Sequence, residues 1–468
     1  MLLQRIDWIQ RERAPHMAFA FLWMFLFGAV AVYYFEAAHL LTLAIPGAAL
    51  LVAGWLYISH PALYLWFVWW TWLTTPFLRR VVEYQTGFDG MNLVMTAPLA
   101  ATAFTLVTLV RFSGALRNRE YTPYGLAFLA VAYGFIVGVV KTSVMGAVLG
   151  TLSWLLPIAL GLHLHLVWRE YPSHRESMLR VFRWGILILG IYGVLQFVAP
   201  APWDRVWMIN SGMNSIGSPE PYLIRVFGML NAPGPFASIM LAGLILLFSD
   251  RTVIGRLALG PGLVAFLLTL VRAAWGGWVV AVAFMGWRAH GTDRKRILSV
   301  LLIGIVLMVP LMLTGPIYER VASRAETLSG IQEDNSFNDR SEFLSISTGW
   351  VLTNPIGSGI GSTGRSAQMS DEGGLGTFDN GIFAIPYSVG WLGGLLYYTS
   401  VFLMLRRIMA LQSEDTDMFV IAAGAVCVSL FAQLIFSNSF VGIKGLLFWT
   451  FFGLSMAGVR YHRPVLTT

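Results

Sequence analysis

The strongest constraint on this chain is the recurrence of apolar runs about as long as a membrane is thick. Runs at 17–35, 179–199 and 297–314 carry little or no charge. A hydrocarbon core about 30 Å thick is crossed by about 20 apolar residues in a helix, which satisfies its own backbone hydrogen bonds. The short alternating segments of a membrane β-barrel are not seen. Hydrophobic residues make up 57% of the chain and charged ones 12%, against about 25% charged in a soluble domain. The expected fold is therefore all-α: a polytopic membrane protein of about 12–14 transmembrane helices in a single transmembrane domain over 1–468. Spans are read near 17–35, 38–58, 61–77, 92–112, 124–141, 145–168, 179–199, 232–249, 253–271, 273–289, 297–314, 381–405, 418–437 and 442–459.

Charge placement orients these spans. Arg5, Arg11 and Arg13 precede an apolar run too long for a signal-peptide core and without a small-residue cleavage site, so that run reads as a first span. With the N-terminus inside, the cytoplasmic ends and loops collect most of the basic residues: the Arg111/Arg117/Arg119, Arg169–Arg183, Arg288–Arg296, Arg406/Arg407 and Arg460/Arg463 groups. The outer side keeps a slight excess of acids. That asymmetry is the positive-inside pattern, and it accounts for the net charge of +7 without a nucleic-acid partner. Both termini are expected in the cytoplasm. Two outer segments are long, 200–231 and 315–380, and long loops tend to carry function. In the second, Phe343, Leu344, Ile346, Trp350 and Val351 recur at helical spacing, which predicts an amphipathic helix over 339–353. The single cysteine, Cys427, lies in an apolar run and reads as a small buried side chain.

Several cations break the charge pattern. Arg79, Arg80, Lys141, Arg225 and Arg272 fall at outer ends of spans. A charge near hydrocarbon is costly and usually faces protein or a water-filled cavity. A guanidinium offers a planar fork suited to bidentate phosphate binding, so several on one face point to an anionic ligand such as a diphosphate. The competing reading is that they snorkel to headgroups or pair with acids; Glu83 stands one turn from Arg79 and Arg80. Gly357, Gly359, Gly361 and Gly364 are spaced like a phosphate loop but lack a preceding strand, and read as a flexible or tightly turning loop.

Arg225-Val226-Phe227-Gly228 followed by Asn231-Ala232-Pro233-Gly234 resembles the Arg-x-x-Gly and Asn-Pro-Asn/Gly element of the O-antigen ligase and O-antigen polymerase superfamily. Leu270-Val271-Arg272-Ala273-Ala274-Trp275 is similar to its Ser-Arg-(Ala/Gly) helix start, with Val271 in place of serine. Asn335 to Arg340, Asn354-Pro355-Ile356-Gly357-Ser358-Gly359, and Asp379-Asn380 leading to Gly390 and Gly393 follow in the family's order. The resemblance implies an all-helical fold related to the GT-C glycosyltransferases, in the bacterial inner membrane. It implies transfer of a glycan from an undecaprenyl-diphosphate carrier to an acceptor at the outer face, and phosphate-binding arginines at Arg225 and Arg272. Ligases of the family carry a histidine base where this chain has Asp379. Of its eight histidines only His39 falls on the outer side, and His163 and His165 read as interfacial packing. The expectation therefore moves from ligase toward polymerase of a surface or secreted polysaccharide.

Glycosyl transfer from a lipid diphosphate needs stabilisation of charge on the departing group, which fixed arginines provide, and a carboxylate to receive the acceptor proton. Arg225, Arg272 and Asp379 are the catalytic candidates, with Asp339, Glu342 and Glu83 as rival carboxylates. Arg79, Arg80, Arg340, Glu342, Asn231 and Asn380 are candidates for binding diphosphate or glycan, and Trp203, Trp207, Tyr222 and Trp350 for stacking on sugars. No metal and no cofactor are expected. The partners are the undecaprenyl-diphosphate-linked oligosaccharide, the growing glycan acceptor and membrane lipids, and a chain-length-regulating membrane protein is a candidate. Ligase-type transfer to a lipid or protein and a flippase for lipid-linked sugars remain alternatives.

Overall fold

The computed structural model describes residues 37–312, 315–326, 348–363, 380–411 and 416–463. Its major helices are α1 Ala38–Ser59, α2 Pro61–Thr86, the broken segment α3 Leu93–Arg111, α4 Thr122–Lys141, α5 Val144–Leu166, α6 Tyr171–Val198, α7 Pro202–Asn210, α8 Pro233–Leu246, α9 Val253–Leu268, α10 Arg272–Arg288, α11 Gly291–Met312, α12 Gly315–Glu326, α13 Gly381–Met409, α14 Met418–Ala432 and α15 Gly442–His462. Among the described residues there is no strand, only an isolated bridge between Gly217 and Ile224. Among the described residues, eight helical segments are long and apolar enough to cross a membrane. The chain is an all-α, multi-pass membrane protein, as its hydropathy predicts. The expected span 17–35, and Asp339, Arg340, Glu342 and Asp379, lie outside the described residues; of the expected helix 339–353 only 348–353 is described, and it is helical.

Burial separates the helices into a centre and a rim. The apolar stretches of α14 and α15 are 78% buried against other helices, whereas that of α1 is 28% buried. In lipid the apolar effect does not drive helices together, so close approach at small residues does. Gly161 of α5 and Gly453 of α15 meet so tightly that a Cβ on Gly453 would stand 2.3 Å from the Gly161 carbonyl oxygen. Gly190 of α6 lies in the same way against the Pro261 backbone of α9. Cys427 is fully buried in this centre, its Sγ 3.4 Å from the Phe448 carbonyl oxygen.

Polar contacts sort the helix ends into two sets. At one end, Glu120 receives His165 and Arg460, Arg407 donates to the Glu120 carbonyl, and Asp417 receives Tyr171 and Arg175. At the other end lie Arg80, Asp204, Gln196, Arg225, the start of α10 and the start of α13. The second set is the candidate site.

Candidate functional site

The site is built around a turn and a helix break. Arg225 to Gly228 forms a turn that packs against the end of α9: the Val226 amide donates to the Leu268 carbonyl (3.0 Å), and the Arg225 amide to that of Ile216 (2.9 Å). Gly228 closes the turn at φ 52°, and a Cβ there would meet the Phe236 ring at 2.3 Å, so only glycine fits. The Arg225 guanidinium donates to three backbone carbonyls, through Nε to Thr269 (3.2 Å), Nη1 to Ser215 (3.0 Å) and Nη2 to Leu270 (3.2 Å).

Two of those carbonyls belong to the link between α9 and α10. Leu270 there adopts φ 54°, a left-handed conformation that costs an L-residue about 1–2 kcal/mol. Hydropathy predicts a span that runs through 271; the helix instead ends at Leu268 and restarts at Arg272. The Thr269 hydroxyl donates to Phe266 and accepts from the Val271 amide, completing the link. The family of carbonyls held by Arg225 is thus the support from which Arg272 begins α10. Sequence reasoning assigned Arg225 and Arg272 the same clamp role. The structure brings them together, with Arg225 engaged in holding the backbone two residues before Arg272.

The start of α13 is a second helix end at this site. Asn380 caps it, its Oδ1 accepting from the Ile382 amide at 2.8 Å. Both α10 and α13 pack on the turn Gln433–Ile435: a Cβ on Gly277 would meet Gln433, and one on Gly381 would meet Leu434. Arg272 and Asn380 therefore border one region. The helix at 348–353 lies beside it, with the Trp391 indole N–H donating to the Val351 carbonyl (2.8 Å) and Trp350 packed on Tyr387 (ring centroids 4.4 Å apart).

The glycine loop is a wedge between helices rather than a phosphate cradle. Three of its amides are taken by the protein: Gly357 donates to Asn354, Ser358 to Tyr387 and Ile360 to Gly134. Gly357, Gly359 and Gly361 all have positive φ. The Ile360 carbonyl lies 2.1 Å from where a Cβ on Gly138 would stand, and Gly390 breaks α13 at φ 65° where Ile356 presses against it. Irregular backbone at membrane depth persists where protein surrounds it. Lys141 Nζ donates to the Gly357 carbonyl at 2.8 Å, so its ammonium tethers the wedge.

Arg79 and Arg80 are the cations that sequence could read two ways, and both are buried with acids. Arg79 pairs with Glu83 at 2.6 Å, donates to the Asp89 carbonyl, and stacks on Trp207 with Cζ 4.8 Å from the ring centroid. Arg80 pairs with Asp204 at 3.2 Å and donates to the Gly228 carbonyl at 2.6 Å. With relative exposure of 1% each, neither presents its fork to the surface. α2 runs on through them to Thr86, past the expected end of the span at 77, because these charges are satisfied inside the protein. Asn231 faces the same interior, its Nδ2 near Met95 Sδ and its carbonyl accepting from the Trp207 indole. Trp203 donates to Tyr192 and Trp207 is buried, whereas Tyr222 stays exposed and receives Arg320 of α12 on its carbonyl.

Sequence reasoning missed Asp204 and Gln196. Both are buried and both reach the Arg225–Gly228 turn directly or through one partner. The one local signal was Gln196, an amide side chain inside an apolar run. At the opposite end, His163 bonds Thr108 and His165 bonds Glu120; among the described residues no group of three or more His, Cys, Asp or Glu side chains is placed to hold a metal ion.

Arg272 opens α10, and Gly381 opens α13 behind the Asn380 cap. A family model described as O-antigen ligase matches residues 257–398, from α9 through the wedge to the middle of α13. Over that stretch the chain is similar to the O-antigen ligase/polymerase type. The match covers under a third of the 468 residues, and it contains Arg272, Arg340, Glu342, Asp379 and Asn380; Arg225 lies before it. A search of curated proteins finds no match.

Proposed function

We propose that this O-antigen ligase-type protein is a polysaccharide polymerase of the inner membrane, working on its outer face with both termini in the cytoplasm. The donor is an undecaprenyl-diphosphate-linked glycan and the acceptor a glycan hydroxyl. The acceptor oxygen attacks the anomeric carbon, the bond from that carbon to the diphosphate oxygen breaks, and the carrier leaves as undecaprenyl diphosphate. The acceptor proton passes to a carboxylate, for which Asp379 is the candidate, next to the Asn380 cap. Arg272 meets the charge developing on the leaving diphosphate. One such preorganised interaction is worth about 3 kcal/mol, so this step as written draws on guanidinium charge and needs no metal. The bundle end that collects Arg225, Arg272 and Asn380 is the one the positive-inside pattern turns outward.

The observation that carries this reading is the restart of the helix at Arg272, inside the family-matched stretch, on a link that Arg225 holds through two carbonyl contacts. Ligase-type transfer is the second reading, favoured by the family's description as O-antigen ligase. The purified protein in nanodiscs, given a lipid-diphosphate glycan, separates the readings. Lengthening of the glycan supports polymerase, and a single transfer to added lipid or protein acceptor supports ligase. Glycan that changes sides without a new glycosidic bond supports a flippase and overturns the proposal.

A further inference from the structure

Behind the Arg225 turn lies a buried polar network that neither the family match nor the proposed chemistry assigns. Asp204 sits in the first turn of α7, two residues after Pro202 starts the helix, where the helix dipole favours an acid. It is fully buried, with relative exposure of 0%. Its Oδ2 accepts from the Tyr192 hydroxyl (2.7 Å) and from Gln196 Nε2 (2.8 Å), and its Oδ1 faces Arg80 Nη1 at 3.2 Å. Trp203 Nε1 donates to the Tyr192 oxygen in turn.

The network ends on three backbone atoms of one turn. Gln196 Oε1 accepts from the amides of Phe227 (3.1 Å) and Gly228 (2.9 Å), and Arg80 Nη2 donates to the Gly228 carbonyl (2.6 Å). The Arg80 guanidinium also covers the Phe227 ring at 4.8 Å. The Gln196 amide nitrogen donates to Asp204 at 2.8 Å and, at 3.4 Å, to the Gly228 carbonyl, so Asp204 takes the shorter bond from that nitrogen while the oxygen faces the two turn amides. Arg80 is likewise oriented toward Gly228 by its charge partner. One carboxylate therefore fixes the orientation of both side chains that grip the turn. The buried ion pair and the hydrogen bonds beside it restrain what they hold, and removal of one partner leaves a buried charge uncompensated.

From the turn the connection is short. Its first residue is Arg225, whose guanidinium holds the link that begins α10 at Arg272. We infer that Asp204 is a positioning residue for the transfer reaction: acting through Gln196 and Arg80, it fixes the Arg225–Gly228 turn and, through Arg225, the seat of Arg272. The inference rests on the proposed transfer for its kinetic consequence, and on the network alone for its mechanical one.

The test uses the full chain in nanodiscs and two readouts. Backbone amide exchange is followed at Phe227 and Gly228, with α14 as internal reference. Transfer kinetics are measured for Asp204→Asn, Arg225→Lys and the double variant. Asp204→Asn should speed exchange at the two amides at least tenfold without change in α14, and lower kcat ten- to a hundredfold. Because both residues act on one support, the double variant should be no slower than the slower single variant. Losses that multiply in the double variant, or exchange at Phe227 and Gly228 that stays as in the wild type, overturn the inference. Tyr192→Phe removes one donor and keeps the ion pair; it should give a smaller change in the same two amides and decides the matter if Asp204→Asn does not fold. A wild type that transfers nothing refutes the reaction, while the exchange data still decide whether Asp204 holds the turn.

Discussion

Arg225→Lys keeps the charge at the turn and removes the fork, which makes it a sharp probe of how the site is held. In the native protein three guanidinium N–H groups reach carbonyls on Ser215, Thr269 and Leu270. A lysine ammonium is a single point donor on a flexible stem and can satisfy one of these. Hydrogen bonds to charged groups are each worth about 1.5–3 kcal/mol, so losing two gives about 3–6 kcal/mol as a ceiling. The Ser215 contact faces solvent, and water recovers part of it, which leaves about 2–4 kcal/mol. Leu270 adds to the consequence, because a left-handed residue persists only while its surroundings over-determine it. Released from Arg225, the link relaxes and Arg272 leaves its seat. If that whole difference falls on the chemical step, transfer slows by about 30- to 1000-fold. The assay is the initial rate of transfer from a lipid-diphosphate glycan, normalised to monodisperse protein after size exclusion. A rate within twofold of wild type would refute the support role of Arg225.

Two further perturbations follow from the packing. Gly138→Ala places a methyl 2.1 Å from the Ile360 carbonyl oxygen; overpacking of this kind costs about 1–3 kcal/mol, and a thermal melt in detergent should show a lower midpoint together with reduced transfer, whereas Gly47→Ala, which meets nothing within 4 Å, should leave both unchanged. Asp417 reports on the opposite end: burial pushes its carboxyl up, but hydrogen bonds from Tyr171, Arg175 and the Val420 amide outweigh it and hold it below the usual carboxylate range. A group depressed in the folded state stabilises above its unfolded value of about 3.9, and that contribution is lost as pH falls through the folded value. Wild-type melting midpoints should therefore drop on acidification below about pH 4, and Asp417→Asn should start lower at pH 7 and lose less over the same interval.

Most of the fold was legible because apolar length is a local property. The spans read at 38–58, 145–168 and 381–405 correspond to Ala38–Ser59, Val144–Leu166 and Gly381–Met409. Helix ends failed where tertiary contacts decide them. Nothing in Thr269-Leu270-Val271 signals a break, since these residues suit an apolar span; the break depends on Arg225, more than forty positions earlier. The two arginines after residue 78 read as a helix end, yet Asp204 and Glu83 let the helix continue. Charged residues in apolar surroundings announce themselves, which is why Arg225 and Arg272 stand out in the sequence. It did not distinguish a guanidinium that binds backbone from one that can meet a ligand, because that distinction lies in which carbonyls surround it. The glycine spacing suggests a flexible or tightly turning loop, and positive φ at Gly357, Gly359 and Gly361 makes it turn tightly, while its partner helices were invisible without the small-residue groove at Gly134 and Gly138.

The account stands on a diphosphate held at the first residue of α10. Binding of radiolabelled undecaprenyl-diphosphate glycan to the purified protein, compared between wild type, Arg272→Ala and Arg272→Lys, reaches that point most directly. Removal of the guanidinium should weaken binding at least tenfold and abolish turnover, with lysine restoring part of the affinity and little of the rate. Donor bound and consumed by Arg272→Ala as by wild type would mean that the leaving group is met elsewhere.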